Sequence, residues 1–481
     1  MSFDEDYFKS EEFLEQLETY ETAVSNGDRP FMDVDDLVDI ADYYTWQGHD
    51  EQADQAIDYC LELYPDATLP NVFKARKALA EGDFEKAQDF QDAIENKDDP
   101  DYHYLEAEML IASGQTDEAD SYLRAYGKRV DPDEYEDFVR DCANLFIDYD
   151  VNEKAYEWML RSKGEDNDDF KELMARTLFG LGKYQEAERI FNELIDRHPF
   201  STFYWNALTS TQLMNEDYSA AITSSEYAIA IDPKDPEAIC NKANGLARLG
   251  NFEEALKYYQ KYCELEPEDE MGFLRQAACL ANQNRFDEAL PILRKALALT
   301  PKDSPNLWQI YQEMAFCYGA QHKTDQALQM LDKCEKLDCD HIDMYVVRGH
   351  ILLQNDRVAE AEKAFKRALI ESDSSPAILL RIIVSLYDNR YLSACYQMLL
   401  KLFEIVEEHY PDFKSGNAYM ALCCYDLGRK DEFLKYLRLA VDNDPKETKS
   451  VLGYLFPDGM PVSEYVPYLE NLLNNTDVNS K

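Results

Sequence analysis

Residues 202–235 read TFYWNALTSTQLMNEDYSAAITSSEYAIAIDPKD, residues 236–269 read PEAICNKANGLARLGNFEEALKYYQKYCELEPED, and residues 270–303 read EMGFLRQAACLANQNRFDEALPILRKALALTPKD. Each segment is 34 residues long, and the three abut without an inserted or deleted residue. Superposed, they place Trp205, Ile239 and Phe273 at position 4, Ala221, Ala255 and Ala289 at position 20, and Pro233, Pro267 and Pro301 at position 32. A fixed period in this range is the signature of a repeat array, in which one supersecondary motif stacks on its own copies.

Within one repeat, positions 4, 7, 8 and 11 share a face of a first helix, and positions 20, 24 and 27 share a face of a second. In the middle segment these are Ile239, Lys242, Ala243 and Leu246, then Ala255, Tyr259 and Tyr262, with Gly250-Asn251 as the turn. Lys242 departs from the apolar pattern, so its stem is expected to pack while its ammonium reaches water. Alanine at position 20 suits the closest helix crossing, and proline at position 32 stops the second helix by removing a donor. One such hairpin cannot cover its own apolar face, so neighbours must stack into a continuous core.

These residues resemble the tetratricopeptide repeat (TPR) family, whose pattern asks for a bulky residue at position 4, small residues at 8 and 20, and proline at 32. The resemblance implies an all-α superhelical solenoid of about twelve helical hairpins, spanning residues 34–445, with capping helices at both ends. It is similar to long stand-alone arrays among bacterial members of that family. Residues 1–33 are expected to form an N-terminal cap, because Phe8, Phe13, Leu17, Tyr20 and Val24 have helical spacing up to Gly27. Residues 34–167 hold divergent, acidic repeats, and the repeat at 136–167 has neither a glycine turn nor a closing proline. Residues 168–303 are the regular repeats. Ser304–Leu307 interrupt the period and mark a candidate bend before the repeats of 304–445, where Phe433 stands at the small position 20 and signals wider packing or a slipped register. Residues 446–481 supply a C-terminal cap with a last helix over Ser463–Leu473.

The formal charge is −48, and it is uneven: residues 1–167 carry 46 acidic against 14 basic side chains, a net −32. That field repels nucleic acid and anionic membrane and steers basic partners. The bland alternative is a well-solvated surface. The chain opens on acidic residues rather than a basic, then apolar, leader, and its longest apolar stretch, near Ile378–Tyr387, contains Arg381. A cytoplasmic location is therefore expected. The eleven cysteines are scattered and make no Cys-x-x-Cys pair, which fits a reducing compartment; Cys60, Cys142, Cys334 and Cys424 fall at packing positions.

Nothing in the chain points to catalysis. With 96 carboxylates, acid pairs at helical spacing are inevitable and carry no signal. The nearest approach to a metal set, Cys334, Cys339 and His341, straddles a turn, and no phosphate-binding glycine loop or nucleophile elbow occurs. No metal, cofactor or enzyme activity is expected.

Positions 2, 5, 9, 12 and 13 of the first helices form a second stripe, which in the TPR family lines the concave groove where ligands bind. Around the regular repeats that stripe is neutral and partly apolar: Phe203, Asn206, Ser210, Leu213 and Met214, then Cys240, Asn244 and Arg248, then Met271, Leu274 and Asn282, then Gln312 and Phe316. Such a surface suits an amphipathic helix or extended peptide of a protein partner. Phe203, Leu213, Met214, Met271, Leu274 and Phe316 are the expected anchors, with Asn206, Asn244 and Arg248 orienting the ligand. The family's carboxylate clamp is matched only by Asn241 and Arg275; Asn206, Ser210 and Met271 stand at its other three positions, both lysines among them. The expected function is a non-catalytic scaffold or adaptor. The alternatives are a holder of basic proteins acting through residues 1–167, or an enzyme or regulated component with a site between repeats.

Overall fold

The computed structural model describes residues 7–28, 30–162, 167–302, 304–337, 341–457 and 459–478, and among them there is helix but no strand. Twelve helical hairpins follow one another, from Val34–Trp46 with Asp50–Leu63 to Asn417–Asp426 with Lys430–Asn443. In the regular repeats the first helices are Thr202–Met214, Pro236–Arg248 and Glu270–Asn282, of 13 residues each. The second helices are Tyr218–Ile231, Phe252–Leu265 and Phe286–Leu299, of 14 residues each.

Local chemistry sets these bounds. Ser201, Asp235 and Asp269 cap the first helices, each accepting a hydrogen bond from a backbone N–H of the first turn. Each second helix stops two residues before its proline, because the residue that precedes a proline is held out of the helical region. Part of the acidic surplus is spent in this way: Asp33, Asp83, Asp99 and Asp217 also cap helices, where a carboxylate satisfies orphan donors and the helix dipole.

Ile239, Ala243 and Ala255 are fully buried, and Leu246 and Tyr259 nearly so. Lys242 behaves differently from the expectation: it is buried, its Nζ donates to Tyr258 Oη at 2.7 Å and lies 4.3 Å from that ring's centroid. A neighbouring tyrosine thus takes a large part of the role expected of water.

The turn inside each hairpin has one recurrent feature. Its position 15 is left-handed in all twelve repeats, at φ between 57° and 82°. Glycine fills it six times, as in Gly250; Asp150, Glu216, Asn284, His322, Asp356 and Arg390 fill the others. The repeat at 136–167 therefore makes the same turn without glycine, with Asp150 at φ 57°.

Contacts divide the chain into two compact bodies, Met1–Pro233 and Lys234–Lys481. Each contains six hairpins. In the N-terminal body the successive first helices Val34–Trp46, Thr68–Ala80, Pro100–Ala112, Tyr135–Asp148 and Asp168–Gly180 touch one another in order and share one wall. The cap helix Glu11–Asn26 ends at a left-handed Gly27, and its Phe13, Leu17 and Tyr20 join Leu37, Ile40 and Tyr44 in one core. Val24 is exposed rather than part of that face, since it lies in the last turn beyond the first hairpin's cover. Tyr7 Oη donates to Asp39 at 2.6 Å, and Tyr44 Oη to Glu21 at 3.0 Å, tying cap to array.

In the C-terminal body, Phe433 is buried beside Tyr425, with ring centroids 5.4 Å apart. The register has not slipped, because Gly428 makes the position-15 turn and the second helix begins two residues later at Lys430. Beyond it come Pro445–Leu452, a short 3-10 turn at Val462–Glu464 and the helix Tyr465–Val478. Glu447 reaches back so that its carboxylate accepts from Gly416 N at 2.9 Å, capping the helix Asn417–Asp426 from outside it.

Candidate interaction surface

The stripe residues singled out from sequence fall into two groups by burial. In the N-terminal body, Phe203 is 51% and Met214 54% exposed, Leu213 is half-buried and Asn206 is buried. In the C-terminal body, Arg248 and Phe316 are exposed and Asn244 and Met271 half-buried, whereas Leu274, at 7%, and Asn241 belong to the packed interior. Asn244 Oδ1 accepts from Tyr259 Oη at 2.7 Å, and Arg275 Nη1 lies 3.0 Å from Cys240 Sγ. Leu274, Asn206 and Asn241 thus serve packing first, because a stripe residue one turn from the hairpin face is overlapped by the next repeat. The clamp pair does not make a free fork either, with Asn241 buried and Arg275 turned onto a thiol.

A large cleft lies elsewhere, on the same stripe of earlier repeats in the N-terminal body. It has a volume of about 1190 Å³ and is walled by the first helices Thr68–Ala80, Pro100–Ala112 and Tyr135–Asp148 and by the connection 127–134. Eight carboxylates and two arginines line it, together with Tyr104, Tyr126, Phe138 and Tyr149. Arg76 is a stripe residue at position 9, and its guanidinium is paired to a carboxylate of the wall. Its Nε donates to both oxygens of Glu108 at 3.0 Å and its Nη2 to Oε1 at 2.6 Å. Glu108 is 6% exposed and the Arg76 side chain 43%, so this is a two-pronged pair in which only the carboxylate is buried. Tyr104 Oη donates to Asp141 Oδ2 at 3.0 Å, and Arg176 Nη2 stands 3.7 Å from Asp148. Asp101 and Glu134 have no cation at ion-pair distance among the described residues.

Burial raises the carboxyl pKa of Asp101 and of Asp148 above the usual range. A second cavity of about 420 Å³ shares Arg76 and Asp101 with the first and includes Asp42. Burial, then the neighbouring Asp39, push Asp42 up to about 6 against the pull of Arg76. Carboxylates that resist ionising in this way respond strongly to an added cation. Sequence reasoning applied the stripe only to residues 203–316; the same positions in the earlier repeats, Asp42, Arg76, Asp101, Glu108, Asp137 and Asp148, carry the signal that was available.

Among the described residues no three His, Cys, Asp or Glu side chains are placed to hold one metal ion. Cys339 of the sequence-stated trio lies outside the described residues. The ten described cysteines are all buried, Cys60, Cys142, Cys334 and Cys424 among them. Burial raises the thiol pKa of Cys60 to about 11 and of Cys424 to about 12, so neither is poised as a nucleophile.

The tetratricopeptide repeat family model matches residues 173–236, 240–304 and 318–376. The chain carries tetratricopeptide repeats. The matched TPR stretches include the three 34-residue repeats from which the period was read, and the unmatched hairpins on either side have the same position-15 turn. No curated protein matches the chain. Among solved structures, yeast Tom70 is 15% identical over 88% of this chain and 94% of its own, with a TM-score of 0.43. A chain of the APC/C hetero-tetramer Cut9–Hcn1 is 13% identical, over 94% of this chain and 95% of its own, with a TM-score of 0.37. A tetratricopeptide repeat protein from Parabacteroides merdae is 14% identical over 52% of this chain and 97% of its own, at 0.42. No helix among the described residues is long and apolar enough to cross a membrane.

Proposed function

We propose that this TPR protein is a non-catalytic interaction scaffold of the cytoplasm, which holds a segment of a protein partner along the stripe of its first helices. The observation that carries the reading is the cleft of about 1190 Å³ opening on stripe positions of three successive hairpins of one body. A small-molecule pocket is commonly roughly 300–1,000 Å³ and enclosed, whereas this cleft is larger and follows the stacking direction, as a bound chain requires. The exposed Phe203 and Met214 of the same body, and Arg248 and Phe316 of the other, are proposed as further contact residues on their own stretches of stripe. The buried thiols are consistent with a reducing compartment.

Photo-crosslinking in the native cell tests this. A photoreactive residue replaces Leu79 or Tyr104 on the stripe, or Asp89 on an exposed second-helix face. Protein adducts are expected from the stripe positions and not from Asp89. Adducts that favour Asp89, or none from either stripe position, overturn the proposal.

A further inference from the structure

We infer that the occupant of the cleft between Arg76 and Tyr149 is an extended protein segment bearing arginine side chains. The inference rests on the scaffold reading above and adds the chemistry of the partner.

Four observations lead there. The first is charge: the lining holds eight carboxylates against two arginines, and Arg76 is already neutralised by Glu108. An anionic ligand, nucleic acid included, would meet a repulsive field, and a neutral one would leave half-desolvated carboxylates uncompensated. The second is spacing, since no three described carboxylate, imidazole or thiol groups converge to hold one metal ion. The carboxylates are instead spread over two successive first helices, Pro100–Ala112 and Tyr135–Asp148, and the connections that precede them, which fits a ligand whose positive charges are also spread along a chain. The third is the aromatic wall. Half-buried Tyr104, Tyr126 and Tyr149 line the cleft, and Tyr104 is backed by the buried ring of Phe138, with centroids 6.1 Å apart and planes at 21°, and stands beside the carboxylate of Asp141. Flat rings next to carboxylates suit a guanidinium, which stacks on its face and donates from its edge; a compact ammonium does only part of this. The fourth is the cleft's own chemistry, because Arg76 shows an arginine held on this wall through a bidentate fork to a buried carboxylate.

Asp101 and Glu134 are the carboxylates best placed to receive the partner. Both line the cleft, and neither has a cation at ion-pair distance among the described residues. One comes from the first turn of the helix Pro100–Ala112 and the other from the end of the connection 127–134, so they belong to two successive hairpins.

The probes are three twelve-residue peptides of alternating glycine with arginine, lysine or citrulline, the last keeping arginine's shape without its charge. Binding to the full-length protein is measured by fluorescence anisotropy at low and high salt. The arginine peptide is expected to bind, the lysine peptide at least threefold more weakly, and the citrulline peptide at least twentyfold more weakly. Asp101→Asn with Glu134→Gln should weaken the arginine peptide at least tenfold. Asp89→Asn with Glu118→Gln, the same charge change on exposed second-helix positions, should alter it less than twofold. Circular dichroism and thermal melts check the fold, and each single variant is measured if the double variant melts early. Equal losses in the two double variants would show attraction by the general field and overturn the assignment, as would no binding of the arginine peptide at low salt. Lysine and arginine peptides of equal affinity would overturn the arginine preference. Stripe crosslinks to a partner without basic segments would remove this inference while leaving the scaffold reading intact.

Discussion

The position-15 turn offers a direct test of how the array is built. Six of twelve hairpins put a side-chain-bearing residue where φ is positive. For an L-residue that conformation costs roughly 1–2 kcal/mol, less for aspartate and asparagine. Asp356, at φ 59°, is the cleanest case, because among the described residues its side chain has no hydrogen bond or ion pair to lose. Glycine removes the strain but gains conformational freedom in the unfolded chain, a penalty of about 0.4–1 kcal/mol. The net for Asp356→Gly is a gain of about 0.5 kcal/mol. The mirror experiment is Gly250→Ala. An added Cβ at Gly250 meets no atom within 4 Å, so the whole effect comes from the backbone at φ 77°. Subtracting the same entropic term leaves a loss of about 1 kcal/mol. Because hairpins contact mainly their neighbours, a global melt would dilute both effects. Native-state hydrogen exchange reads them locally: the amide of Arg357, bonded to Leu352 O at 2.8 Å, reports one turn, and that of Asn251, bonded to Leu246 O at 2.9 Å, the other. Protection should rise about twofold in the first variant and fall about fivefold in the second. A fall in Asp356→Gly with a rise in Gly250→Ala, or no change in Gly250→Ala, would mean that the left-handed turn is not a stability determinant of the repeat.

Other variants separate packing from recognition. Ala255 is fully buried at the helix crossing, so Ala255→Leu should destabilise its hairpin by about 1–3 kcal/mol, and an unchanged denaturation profile would contradict the crossing. Leu274→Ala should cost about 2–5 kcal/mol of stability, whereas exposed Phe203→Ala should stay within about 0.5 kcal/mol and act on partner binding alone; comparable melts for the two would refute the burial assignment. Asp42 has a folded pKa of about 6, above its unfolded value of 3.8, so it binds its proton more tightly when folded, and its contribution is full below about pH 4 and lost as pH rises through 6. The full shift corresponds to at most about 3 kcal/mol, and partial exposure reduces this to about 1 kcal/mol. Asp42→Asn should therefore stabilise the protein at pH 7 and not at pH 4, and a pH-independent effect in thermal melts would rule out the titration.

The hairpins were legible in the sequence because their determinants are local. Alanine at position 20 and proline at position 32 each act within their own repeat, and the helices of 202–299 begin and end at the same positions in all three repeats. The weak repeat at 136–167 was harder to read, since glycine was taken as the mark of the turn and Asp150 makes the same turn at a modest cost. Lys242 was misjudged for a different reason: its partner, Tyr258, lies on the other helix of the hairpin, and no periodicity records who faces whom.

The cleft escaped notice because its depth is not a property of the stripe. Helices follow one another after residues 232–235 in the regular repeats, but after residues 127–134 in the third, where Tyr126 ends one helix and Tyr135 begins the next. That longer connection supplies Arg129, Val130, Asp131 and Glu134 to the cleft wall, so an irregularity of length creates the concavity. The regular repeats are the ones that reveal the fold, and for the same reason they are poor places to look for a deep site: a strict period allows no room between neighbours. The charge points the same way. The acidic surplus of residues 1–167 can be read as solvation only while its carboxylates face water, and Asp42, Asp101 and Asp148, each held above the usual carboxylate pKa by burial, do so only in part. Solvation alone would place such groups on the outer faces of the hairpins, where nothing desolvates them. Their concentration on the inner stripe, beside aromatic rings and a connection that opens space, is what a surface made to receive a cationic chain requires.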